Sequence, residues 1–218
     1  RVYGSGVAVP GSVSDASIAK QHALDFLRQH RGLLAPGSSA NDFQLVSNEV
    51  NRGIRTVGFV QTHAGMPVVG GQVSLRYKAD RLVMLGSEAL PNVQTTGSGV
   101  LAASKLRDQA RDWVLSDSAS KATAGDVAGP MLLPIITNSG PRYHRVMSVI
   151  VNGEAPLGKW RVYLDAASGK PVAREQTLRF GEATVEYDVP LRQPLSDRAP
   201  LAAKGVTLIV DGQPQESS

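Results

Sequence analysis

FVQTHAGMPVVGGQVSLRY, residues 59–77, reads as two strands joined by a tight turn. Val57, Phe59 and Gln61 alternate with Thr56, Gly58 and Val60, the two-residue period of a strand. Ala64, Gly65, Met66 and Pro67 then supply turn chemistry, with a glycine free to take positive φ and a proline that stops any helix. Alternation resumes through Val69, Gly71, Val73, Leu75 and Tyr77. The pair Gly70-Gly71 weakens a strand, so its place inside one points to a bulge or a close backbone approach.

On either side of this hairpin the same patterns give strands at residues 43–50, 55–63, 67–77 and 82–88. Asn51-Arg52-Gly53 and Lys78-Ala79-Asp80 are connections of hairpin length. Upstream, residues 12–31 read as a helix, capped by Ser12 or Ser14 with Asp15 in the first turn. Ile18, Ala19, Ala23, Phe26, Leu27 and His30 fall at helical spacings and form a stripe that needs a sheet to cover it. Gly32 and then Ala35-Pro36-Gly37 are expected to end this helix.

After a small polar linker at 94–99 the order repeats. Residues 101–116 predict a helix with Ala103, Leu106, Ala110 and Trp113 on one face. Residues 118–129 read as a flexible loop, followed by strands at 131–137, 143–152, 158–165 and 171–180. The expected architecture is α+β: two tandem modules, 12–92 and 97–181, each with one helix packed on an antiparallel sheet. Residues 182–218 form an extended C-terminal tail, either a linker or the start of a further domain. In it, 206–210 reads as a short apolar strand and Asp211-Gly212 as a turn.

Composition narrows the function. The chain has 218 residues, enough for one large core or two small ones. No apolar run approaches the roughly 20 residues of a membrane-spanning helix. With no cysteine, disulfide frameworks, thiolate nucleophiles and cysteine-zinc sites are excluded. The net charge is +4, but aromatics are 5% and the arginines are scattered singly, which argues against nucleic-acid binding. The chain begins at Arg1 without methionine or a signal-like segment, so it is expected to be a processed piece of a longer product.

The hairpin resembles the core of the propeptide domain of fungalysin- and thermolysin-type secreted metalloproteases. The residues that carry the resemblance are Phe59, Gln61, His63, Gly65, Met66, Pro67, Val68, Gly70, Gly71, Val73 and Leu75. A second stretch, GKWRVYLDAASGKPVARE at 158–175, is similar to the closing hairpin of the peptidase-associated domain called PepSY. It does so through Trp160, Val162, Leu164, Asp165, Ala166, Ser168, Gly169, Lys170, Val172 and Ala173. The physical reading agrees: Asp165 is suited to bond the turn backbone, Gly169 to take positive φ, and Trp160, Val162 and Leu164 to share one sheet face. The two resemblances span 12–180 and follow the order usual in these propeptides. They imply cystatin-like modules in a secreted or periplasmic, bacterial protein.

A zinc protease of that class needs two histidines one helical turn apart beside a glutamate. His22, His30, His63 and His144 belong to no such motif, and there is no Gly-x-Ser-x-Gly elbow or phosphate loop. The resemblance therefore implies a non-catalytic propeptide without a cofactor of its own. It would act as intramolecular chaperone and inhibitor of a zinc metalloprotease catalytic domain, and the zinc would belong to that partner. Inhibitory propeptides present an extended segment to the substrate cleft. Val206, Thr207, Leu208, Ile209, Val210 and Asp211 are the expected contact, an apolar strand ending in a carboxylate that can approach the zinc. The alternative is a stand-alone secreted inhibitor or binding module acting in trans, and a further rival is an unrecognised hydrolase.

Overall fold

The computed structural model describes residues 2–95, 97–178, 208–210 and 213–215. Contacts divide the chain into two units, Arg1–Thr177 and Leu178–Ser218. The first is a mixed α+β fold with two helices and a nine-stranded sheet among the described residues. In the second, Leu208–Val210 pairs antiparallel with Gln213–Gln215.

The first part of the larger unit runs β1 (Val2–Ala8), α1 (Ala16–Leu34), a short 3-10 turn at Ala40–Asp42, β2 (Phe43–Asn51), β3 (Ile54–His63), β4 (Met66–Lys78) and β5 (Arg81–Ser87). β2 to β5 form the expected antiparallel meander. β1, absent from the sequence reading, adds to β5 and lengthens that sheet. Ala19, Ala23 and Leu27 of α1 pack on Val57, Phe59, Val73, Leu75 and Tyr77 of β3 and β4. Burying a large apolar side chain stabilises by roughly 1.5–3 kcal/mol, so this row is the main reason helix and sheet stay together. Phe26 is only partly buried at the margin, and Ile18, expected in the stripe, is 40% exposed.

α1 starts later than its serines suggest. Asp15, not Ser12 or Ser14, is the N-cap, and its side chain accepts from the N–H groups of Ser17 and Ile18. Residues before it are held in a turn because the Val13 backbone is tied at both ends. Its N–H donates to Asp80 at 2.9 Å, and its carbonyl accepts from the buried Arg55 guanidinium at 2.9 and 3.1 Å. Nor does Gly32 end the helix. It runs to Leu34 and stops at Ala35, the residue before Pro36, where α geometry is disfavoured.

The second part runs α2 (Ala103–Leu115), β6 (Lys121–Thr137), β7 (Gly140–Glu154), β8 (Gly158–Asp165) and β9 (Pro171–Gln176). The loop expected at 118–129 is instead the first half of the 17-residue β6, paired with β7 from Lys121 onward. Bulges between Ala124 and Val127 and between Ala128 and Met131 break its two-residue period, and its small side chains leave little alternation to read. Leu106, Ala110 and Val114 of α2 pack on Val149, Val151, Trp160, Val162 and Leu164. Trp160 lies where two strands carry no side chain: a Cβ on Gly158 or Gly153 would come within 1.9 or 2.5 Å of its ring.

The two parts meet at β4. Its residues 73–78 lie between β3 and β5, whereas Val68 forms a parallel bridge with Leu132 of β6. The change of neighbour falls at Gly70, with φ of 81°, and Gly71. Here residues 68–71 of β4 stand opposite Gln61 alone, because Val60 pairs Gln72 and Thr62 pairs Pro67. β1 and β2 also carry register irregularities, between Tyr3 and Val7 and between Leu45 and Ser47.

Candidate functional site

The residues of the first resemblance gather at the junction of β3 and β4. Phe59 is in the core, and Gly65 makes the turn with φ of 77°. Gln61 is buried, and its amide forms two hydrogen bonds with one backbone unit: Nε2 donates to the Leu90 carbonyl at 2.9 Å and Oε1 accepts from the Leu90 N–H at 2.7 Å. Gly71 leaves room for that side chain, since a Cβ there would meet Gln61 Oε1 at 2.7 Å. Pro67 is exposed and follows the turn, while Val68 is buried against Leu132 and Val93. Phe59, Gln61, Gly65, Val68 and Gly71 thus serve packing and backbone geometry.

The second resemblance forms a closed turn. Asp165 Oδ1 accepts from the Ser168 hydroxyl and from the N–H groups of Ser168 and Ala167, and these bonds, the hydroxyl's first, hold its carboxyl below the usual carboxylate range. Gly169 has φ of 72°, and its N–H donates to the Asp165 carbonyl. Trp160, Val162 and Leu164 share the face beneath α2.

The histidines do not converge. His22 Nδ1 lies 3.0 Å from the Tyr77 hydroxyl, and Phe26 packs between His22 and His30 with centroids at 6.0 and 4.3 Å. His63 and His144 sit half-buried on β3 and β7. Among the described residues no three histidine or carboxylate side chains group as metal ligands would. Of the expected contact segment, Leu208, Ile209 and Val210 form a strand, and Val206, Thr207 and Asp211 lie outside the described residues.

A cleft of about 370 Å³ lies on the sheet face turned away from α2. Val69, Met131, Ile150 and the Tyr163 ring supply its apolar lining, with Ser148, Asp126 and Arg161 as polar members. Glu175 Oε1 accepts from Arg161 at 3.0 Å and from the Tyr163 hydroxyl at 3.1 Å. Burial pushes the Tyr163 hydroxyl up, so it stays protonated at neutral pH and offers no base. The chemistry available here is recognition: an apolar surface beside a neutralised, half-exposed ion pair. Alternation along β8 already places Arg161 and Tyr163 opposite Trp160, Val162 and Leu164. The partner Glu175 follows only from the β8–β9 register, which sets Arg161 against Glu175.

No known protein family matches this chain. No curated protein matches it either. Among solved structures, the Bacillus megaterium YpeB C-terminal domain aligns with a TM-score of 0.33 and 11% identity, over 76% of this chain and 66% of that one. The chain thus spans just under two thirds of the length of that structure.

Proposed function

We propose that this chain is the non-catalytic proregion of a secreted zinc metalloprotease of the thermolysin or fungalysin type, acting as its folding chaperone and inhibitor. The observation that carries the reading is the repeated order of elements around the two resemblance motifs. α1 lies over β2–β5 and α2 over β6–β9, with the first motif in the β3–β4 hairpin and the second in the β8–β9 hairpin. On this reading the modules are 12–92 and 97–181, cystatin-like and in tandem, followed by a tail that reaches the partner. A surface that binds only the folded protease stabilises that state, and the same complex covers the substrate cleft.

The test is residual protease activity against added chain, using the mature protease encoded downstream of the same gene. Inhibition should be saturable, should survive replacement of His22, His30, His63 and His144 in a folded variant, and should weaken when residues 206–211 are deleted. Full activity with saturating, folded chain removes the inhibitor reading. Unchanged inhibition after the deletion moves the contact to the sheet faces.

A further inference from the structure

Between β5 and α2, residues 88–93 cross from one half of the larger unit to the other, bonded on both sides. Towards the first half, Leu90 is held at its N–H and its carbonyl by Gln61, and the Asn92 N–H donates to the Pro36 carbonyl at 3.0 Å. Gly37 permits this approach, since a Cβ there would lie 2.1 Å from Asn92 Oδ1. Towards the second half, the Pro91 carbonyl accepts from the Tyr143 hydroxyl of β7 at 2.5 Å. Val93 is buried with Val68 and Leu132, in a cluster separate from the cores beneath α1 and α2.

We propose that this segment is a strap that makes the two helix-on-sheet halves unfold as one cooperative unit. Without it the halves share the Val68–Leu132 bridge and the packing of Val69 against Leu133, Val146 and Tyr163. To that short joint the strap adds the Gln61–Leu90 pair and the Asn92–Pro36 bond on one side, and the Tyr143–Pro91 bond and the Val93 contact on the other. Two of those bonds satisfy the Leu90 backbone, whose polar groups would otherwise be left in an apolar setting. Opening the joint therefore requires breaking the strap from one side, which links the stability of each half to the other.

The sequence supplies a probe for one half alone: both tryptophans, Trp113 and Trp160, lie in the second. Urea unfolding of the full chain is followed by tryptophan fluorescence and, in parallel, by hydrogen exchange of β3 and β5 amides. The two midpoints should coincide in wild type. They should separate by about 0.5 M urea or more in Gln61→Met, which removes both Leu90 bonds on the first side. The same separation is expected in Tyr143→Phe combined with Val93→Ala, which cuts the strap on the second and leaves both main cores intact. Separate midpoints in wild type overturn the proposal, as do coincident midpoints in the second variant. If Gln61→Met fails to fold, the second variant alone decides.

Discussion

At Gly71 an added methyl group would meet Gln61 Oε1 at 2.7 Å and Gln61 Cβ at 2.9 Å, whereas at Gly65 it would meet nothing within 4 Å. The two glycines of one hairpin are thus required for different reasons. Gly71→Ala should displace Gln61 and release the Leu90 backbone, costing about 2–4 kcal/mol. Gly65→Val should cost only the strain of a branched residue at positive φ, about 1–3 kcal/mol, and Gly65→Asn should recover most of that. Urea unfolding of the three variants separates the mechanisms. His22 allows a prediction in pH. Burial holds it below the ordinary histidine value, with Asp25 opposing. Its folded value lies below the unfolded one, so its contribution is present above about pH 6.5 and is lost as pH falls through that value towards the folded one. Protonation makes Nδ1 a donor and leaves the Tyr77 hydroxyl with the Ala19 carbonyl, 3.4 Å away, as acceptor. The urea midpoint should fall between about pH 7.5 and pH 5, and fall less in His22→Gln.

Among the elements, α1 depends on a cap that the serines before it obscure. Asp15→Ala should destabilise by about 1 kcal/mol and speed amide exchange in the first turn of α1, since Ser17 and Ile18 lose their acceptor. A similar effect from Ser14→Ala would contradict the assignment. β3 and β4 were legible in the sequence because apolar residues recur there at every second position, as in Val73, Leu75 and Tyr77, and β5 through its unbroken apolar run Leu82–Leu85. β8 was legible for the same reason as β3 and β4, through Trp160, Val162 and Leu164. The first half of β6 was not. Gly125, Asp126 and Pro130 fall in or beside its bulges, and backbone pairing with β7 forms the strand without an apolar row to announce it. Of the two readings open for the glycine pair, a bulge or a close backbone approach, the structure shows the bulge; what comes close is the Gln61 side chain. Gly70 takes the unusual backbone angle and Gly71 admits the neighbouring side chain.

For the whole molecule, what local sequence cannot express is the meeting of distant segments. Nothing near Val68 names Leu132 as its neighbour, and nothing near Gln61 names Leu90. The outer-face cleft is equally non-local, because Val69, Met131, Ile150 and Tyr163 come from four strands. The irregular margins of the sheet have a further consequence. β1 and β2 are each broken in register, the first half of β6 is bulged twice, and β9 is six residues long and opens with Pro171. A straight, uninterrupted margin would be a template for other chains to align on and would seed fibrils. Broken margins offer such chains no long matching row of donors and acceptors, which favours a protein that remains dispersed when crowded with unfolded neighbours.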